Sequence, residues 1–130
     1  MKSEAFRAAA EAKDFLAAEE LLAPDVTFRS PVVFKPYHGR DEVKMILSAV
    51  VHVFEDFRYV EQVEAGDLAA LQFEANVGDK QLQGVDILKF ADDDTIAELT
   101  VMVRPMSGVH ALAEAMQRML EASEAASASS

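Results

Sequence analysis

The stretch from Gln83 to Pro105 constrains the fold more than any other part of the chain. It reads Gln-Gly-Val-Asp-Ile-Leu-Lys-Phe, then Ala-Asp-Asp-Asp-Thr, then Ile-Ala-Glu-Leu-Thr-Val-Met-Val-Arg-Pro. Three successive aspartates favour a turn because their side chains bond their own backbone and tolerate unusual dihedrals. The run from Ile96 to Val103 is rich in branched residues that suit a pleated surface, so the whole reads as two antiparallel strands around a tight acidic turn. Two-residue alternation puts Gly84, Asp86, Leu88 and Phe90 on one face of the first strand, and Val85, Ile87 and Lys89 on the other. On the return strand Leu99, Val101 and Val103 share a face, and Glu98, Thr100, Met102 and Arg104 oppose them. The fully apolar row belongs inside, and Asp86 goes inside with it. An ionised carboxylate there is costly unless paired, so Asp86 either faces a pocket or keeps its proton.

Charge and composition narrow the function classes. With 130 residues, about half of them apolar, the chain is long enough for one domain with its own core, expected over residues 1–121. Residues 122–130 are alanine, serine and glutamate only and are expected to form a disordered tail. A net charge of −11 with no lysine or arginine cluster argues against nucleic acid and anionic membrane as partners. There are no cysteines, which removes thiolate metal sites and thiol nucleophiles. Three widely separated histidines without acids at ligand spacing point to no metal site, and no motif calls for a cofactor. The N-terminal residues form a charged, alanine-rich helical pattern with no uninterrupted apolar run, so a cytoplasmic protein is expected.

The remaining elements follow from local signals. Ser3 is placed to cap a first helix whose apolar face holds Phe6, Ala9 and Ala10; Asp14 is placed to cap a second, carrying Phe15, Ala18, Leu21 and Leu22 and ended by Pro24. Val26 to Ser30 alternates as a strand stopped by Pro31, and the Pro- and Gly-containing segment to Gly39 reads as a loop. Asp41 is expected to cap a helix to about Phe54. Phe57–Glu64 and Leu68–Val77 read as strands around Ala65-Gly66-Asp67, and an amphipathic helix opens at Ser107-Gly108 with Leu112, Met116 and Met119 on its apolar side. The order is helix, helix, strand, helix, four strands, helix.

That order, the strand Asp25 to Pro31, the helix opening at Tyr37-His38-Gly39-Arg40-Asp41-Glu42-Val43 and the closing hairpin resemble the nuclear transport factor 2-like superfamily over about residues 4–105. The superfamily includes ketosteroid isomerases and SnoaL-like polyketide cyclases. The resemblance implies an α+β, cystatin-like fold: a cone-shaped, curved antiparallel sheet wrapped around N-terminal helices, here with an extra C-terminal helix. It also implies an internal pocket and, as in many members, a homodimer through the outer sheet face, which here carries Val85, Ile87, Thr100 and Met102.

Compared with the ketosteroid isomerases, the position of the general base, before the proline that follows the first strand, holds Ser30. The oxyanion tyrosine, counted back from Pro31, aligns with Phe6, and only the second oxyanion donor has a counterpart, in Asp86. Without a base, proton abstraction of that kind has no agent. An epoxide hydrolase network would need a second acid from the last strand, where the row Leu99, Val101, Val103 offers none. The cyclase branch needs a single pocket acid, which Asp86 could supply with His52 or His38. The reading is therefore a binding protein for a small hydrophobic or carbonyl-bearing molecule, with Asp86 as polar anchor and candidate catalytic acid. An enzyme of polyketide cyclase or isomerase/hydrolase type using Asp86 as acid and a protein-interaction or assembly domain with a filled pocket are the alternatives. The aromatic wall is expected from Phe6, Phe28, Phe54 and Phe73. Ser30 and Tyr37 are added on the polar side, and Leu88, Leu99, Val101 and Val103 on the aliphatic side.

Overall fold

The structure is a computed structural model that describes the backbone of residues 1–128 and the side chains of residues 1–122. Its elements are α1 (Ser3–Glu11), α2 (Phe15–Glu20), β1 (Leu22–Arg29), β2 (Tyr37–His38), α3 (Arg40–Val53), β3 (Glu55–Ala65), β4 (Leu68–Val77), β5 (Lys80–Phe90), β6 (Ile96–Arg104) and α4 (Met106–Ala128). The six strands form one curved sheet in the order β2-β1-β6-β5-β4-β3. β3 to β6 are an antiparallel meander, as the sequence pattern requires. The sheet is not wholly antiparallel, however, because β1 lies parallel to β6. The chain reaches β6 from β1 only after the helix and the whole meander, so it returns to β1 in the same direction.

The alternation read from the sequence holds through the central strands. Leu71, Phe73, Ala75 and Val77 of β4 and Leu88 and Phe90 of β5 are buried, as is Leu99 of β6. The helices cover this face, with Phe6, Val43, Ile46 and Leu112 buried against it. Gly84 marks one close approach: a Cβ there would collide with the Phe73 ring and lie 2.6 Å from the Met102 carbonyl oxygen. Glycine is the residue that lets Phe73 lie across β5 beside Asp86.

Several local expectations change. Ser3 does not cap α1; it lies inside the helix, and the cap comes from Glu64 of β3. That carboxylate accepts from Ser3 N–H at 2.9 Å, Ser3 Oγ at 2.7 Å and Lys2 N–H at 3.1 Å. Negative charge at a helix start satisfies its free amides and its dipole whichever part of the chain supplies it. Asp14 does cap α2, accepting from Ala17 N–H at 3.2 Å. α2 ends at Glu20, because Leu22 pairs with Ile96 and its carbonyl accepts from Arg40 Nη2 at 2.6 Å. Pro24 therefore sits in β1, inside a register irregularity where its missing N–H forfeits no ladder bond. Asp41 falls in the first turn of α3 and makes no cap bond; Gly39, at φ 89°, occupies the cap. Tyr37 and His38 form the short strand β2, where a loop was expected. α4 continues through the segment expected to be a disordered tail, as helix-favouring alanine and glutamate extend an established helix; residues 129–130 of that segment lie outside the described residues. Among the described residues no helix is long and apolar enough to cross a membrane.

Candidate functional site

β5 delivers Asp86 to the concave face between Leu71 of β4 and Val101 of β6. Its side chain is 6% exposed, and Oδ2 accepts a hydrogen bond from the Tyr59 hydroxyl at 2.6 Å. Among the described residues, this phenol is the only hydrogen-bond donor to the carboxyl. Among the described residues no buried side-chain polar atom is left without a partner, so Oδ1, which has none, is open to the adjoining cavity. Burial pushes the Asp86 carboxyl up to about 7, and the Tyr59 hydrogen bond, which favours the ionised form, limits the rise. The Tyr59 phenol is itself held well above its ordinary value, first by burial and then by the neighbouring carboxylate, so it remains a donor.

Tyr59 is held from both sides. Its ring meets Phe57 edge-to-face at 4.9 Å and Phe73 at 6.3 Å, and the Phe57 ring lies tilted against Phe73 at 4.9 Å. β3 is the edge of the sheet and shifts register on both sides of Tyr59, which turns its backbone toward α1. There the Tyr59 N–H donates to Glu11 Oε2 at 3.3 Å, and its carbonyl accepts from Arg7 Nη2 at 3.4 Å. Two charged side chains of one helix thus fix the residue that bonds Asp86.

The cavity in front of the pair measures ≈ 90 Å³, and its surface is almost wholly apolar. The helices wall it with Phe6, Ala9, Leu47, Val50, Phe54 and Leu112, and the sheet with Phe28, Phe57, Leu99 and Val101. Lys13 and Asp14 stand at its edge, where α1 turns into α2. Lys13 donates to the Phe54 carbonyl at 3.2 Å, which ties that turn to the end of α3.

Of the residues the sequence suggested, Phe6, Phe28, Phe54, Leu99 and Val101 meet around Asp86. Phe73, Leu88 and Val103 do not reach the cavity. The Phe73 ring lies over Gly84, behind Phe57; Leu88 is fully buried one strand pair further along, opposite Leu99; and Val103 stands opposite Gly84 near the strand end. Ser30 does not point at Asp86: its Oγ accepts from Val32 N–H at 3.0 Å and Val33 N–H at 3.4 Å, closing a local turn. Ser30 and Tyr37 instead line a neighbouring hollow, where Tyr37 stacks on Phe28 at 6.1 Å. Neither histidine joins the acid. His38 Nδ1 is 3.2 Å from Thr27 Oγ1, and His52 Nδ1 is 2.7 Å from the Ser48 carbonyl, both on the surface. Tyr59 was missed, although the Phe57, Tyr59 pair at two-residue spacing was a readable sign of an aromatic inner face on β3.

A family model for the SnoaL-like domain matches residues 3–99. The chain belongs to the SnoaL-like family. Two solved structures place this SnoaL-like chain further. One, described as a steroid delta-isomerase from Pseudomonas aeruginosa, is 43% identical with a TM-score of 0.89, over 92% of this chain and 89% of that one. The other, an uncharacterised bacterial protein with a cystatin-like fold from Silicibacter pomeroyi, is 32% identical with a TM-score of 0.86, over 90% and 83%. No curated protein matches the SnoaL-like chain in sequence. The neighbours agree with the α+β, curved-sheet, cystatin-like architecture.

Proposed function

We propose that this SnoaL-like protein binds a small, mostly apolar molecule that carries a carbonyl group, with Asp86 and Tyr59 holding the polar end. The observation that carries this reading is the buried carboxyl with one oxygen bonded to a phenol and the other open to an apolar cavity. An acid kept for structure alone would have both oxygens satisfied by amides, because each unmet bond of a buried polar group costs about 1–3 kcal/mol. Asp86 has one donor. A carboxylic acid kept neutral in an apolar site can itself donate to a ligand carbonyl, and the cavity surface rewards apolar substituents around that carbonyl. The same residue pair accepts a ligand hydroxyl once Asp86 ionises.

Carbonyl-¹³C-labelled 2-butanone, small enough for a cavity of ≈ 90 Å³, tests this. Binding that shifts the carbonyl resonance and is lost in Asp86→Leu, which has no donor for the carbonyl, supports the reading; equal binding by the two proteins removes Asp86 from the site.

A second reading, catalysis with Asp86 as acid, is favoured by the similarity to the protein described as a steroid delta-isomerase. A carboxyl near 7 is half-protonated at neutral pH and can give up or take a proton there. Phe6 offers no second acid or base to this cavity and Ser30 does not line it, while Lys13 and Asp14 at its edge are engaged with the Phe54 carbonyl and the Ala17 N–H, which leaves Asp86 and Tyr59 as the interior proton-transfer groups. Turnover of a β,γ-unsaturated steroid ketone to its conjugated isomer, followed by ultraviolet absorbance and abolished in Asp86→Asn, would establish it.

The outer sheet face carries exposed Val63 (66%) and Met102 (54%) beside half-buried Val85 and Ile87. A second copy of the chain is the partner that matches the family habit, and light scattering at micromolar concentration giving twice the 14.2 kDa chain mass would support the dimer. A monomer mass would refute it.

A further inference from the structure

The cavity at Asp86 is too small to be a complete site. At ≈ 90 Å³ it is smaller than the roughly 150 Å³ cavity that accommodates a single benzene ring, and far below the roughly 300–1,000 Å³ of ordinary ligand pockets. A second hollow, of ≈ 400 Å³, lies between the Ser30–Tyr37 segment and α4. Phe28, Pro31, Val50 and Leu112 line both. The wall between the two spaces is therefore one side chain thick. The third hollow, between α3 and the far side of α4, shares only Phe15 with the Asp86 cavity.

We infer that the Asp86 cavity and the hollow under α4 are the two ends of one site for an elongated molecule, whose carbonyl lies at Asp86 and Tyr59 and whose unbranched apolar chain passes Leu112 into the hollow. The inference rests on the binding reading above and adds the shape of the ligand. The hollow suits an apolar chain: Val32, Val33, Tyr37, Ile46, Met116 and Leu120 face it, with polar Ser30, Gln117 and Glu121 at its edge. Ser30 Oγ accepts from the Val32 and Val33 amides and keeps its one O–H donor at the polar edge of the hollow.

α4 is built to yield at this place. Between Met106 and Ala122 only Gly108 and Leu112 are fully buried. Gly108 is the fixed end, since a Cβ there would lie 3.0 Å from the Leu82 side chain. Beyond Leu112, the inward residues Ala115, Met116, Met119 and Leu120 are only partly covered, and Met119 and Leu120 border the ≈ 500 Å³ hollow on the helix's other side. Methionine, unbranched and adaptable, repacks around a guest more readily than a branched side chain does.

Two ketones that share one polar end, 2-butanone and 2-decanone, separate the possibilities. Each methylene seated in the hollow should tighten binding about fourfold, so half of the added chain gives about 50-fold or more. With ¹³C-methyl-labelled methionine, 2-decanone should move the Met116 resonance while 2-butanone leaves it in place, and Met45, on α3 and away from the hollow, should stay still with both. Ala113→Phe, which fills the hollow without facing the Asp86 cavity, should abolish the gain for 2-decanone and spare 2-butanone. The proposal is overturned if 2-butanone binds through Asp86 but 2-decanone binds no tighter, or if Met45 responds in place of Met116. If neither ketone distinguishes Asp86→Leu from the natural protein, the binding reading itself fails.

Discussion

A carboxyl buried as Asp86 is leaves a signature in the pH dependence of stability. Its folded value is about 7, against about 3.9 for an aspartate in an unfolded chain. Between those two values the folded state holds a proton that the unfolded state has released. Stability is then complete below about pH 4 and falls as pH rises toward 7, by about 1.4 kcal/mol per unit. Across the window the loss is about 4 kcal/mol, of which about 3 kcal/mol lies between pH 4.5 and 6.5. Glu64 and Asp93 act in the opposite sense, because hydrogen bonds from Ser3 and Thr95 hold their carboxyls below the ordinary range and their contribution is lost in acid. Those terms are common to the natural protein and Asp86→Asn, so the difference between the two isolates Asp86. Urea unfolding at pH 4.5, 5.5, 6.5 and 7.5 should show Asp86→Asn gaining relative stability by about 3 kcal/mol from pH 4.5 to 6.5 and levelling off above 7. A difference that stays flat over this range would refute the reasoning, since it would mean that Asp86 ionises like a surface aspartate.

Further predictions follow from individual contacts. Tyr59→Phe removes the one donor to Asp86, and should cost about 1–3 kcal/mol at pH 8, less at pH 5, with the Asp86 midpoint moving up; an unchanged midpoint by carboxyl NMR would contradict the bond. Gly84→Ala forces a methyl into the Phe73 ring and the Met102 carbonyl, and should lower stability by about 1–3 kcal/mol in thermal unfolding, partly relieved by Phe73→Leu. Glu64→Gln should weaken the start of α1, read as faster amide exchange at Ser3 and Glu4 with the rest of the helix less affected. Ketone affinity should fall about tenfold per pH unit above 7, since only neutral Asp86 donates to a carbonyl, and isothermal titration from pH 6 to 9 would read it directly.

The sequence carried the meander and the placement of its acid well, for a physical reason. Each of the strands β4, β5 and β6 has a strict two-residue alternation, and register in such strands is fixed by the face that must be buried. Asp86 was legible because it breaks that pattern. Tyr59 was not, because its partnership depends on strand order. β3 and β5 are separated by β4, roughly 10 Å apart at the spacing of neighbouring strands, and only the bare face of Gly84 under Phe73 and the register shifts around Tyr59 let the phenol reach across. The Glu64 cap of α1 was hidden for the same reason, since its donors lie about sixty residues away in sequence. Pro24 misled in the other direction: it reads as the end of α2, but β6 recruits the preceding Leu22 into a strand by tertiary pairing that no local propensity records, and the helix has already ended at Glu20. Ser30 and Phe6 were legible as positions rather than as contacts. One closes a turn and the other lines the cavity wall.

The central claim is that Asp86 is an acid poised near neutrality whose free oxygen meets the ligand. A ¹³C-carboxyl NMR titration of Asp86, with and without 2-butanone, measures both halves of it. The account predicts a midpoint near 7 that rises when the ketone is present, since the ketone binds the protonated form. A midpoint in the ordinary aspartate range, unmoved by the ketone, would contradict it.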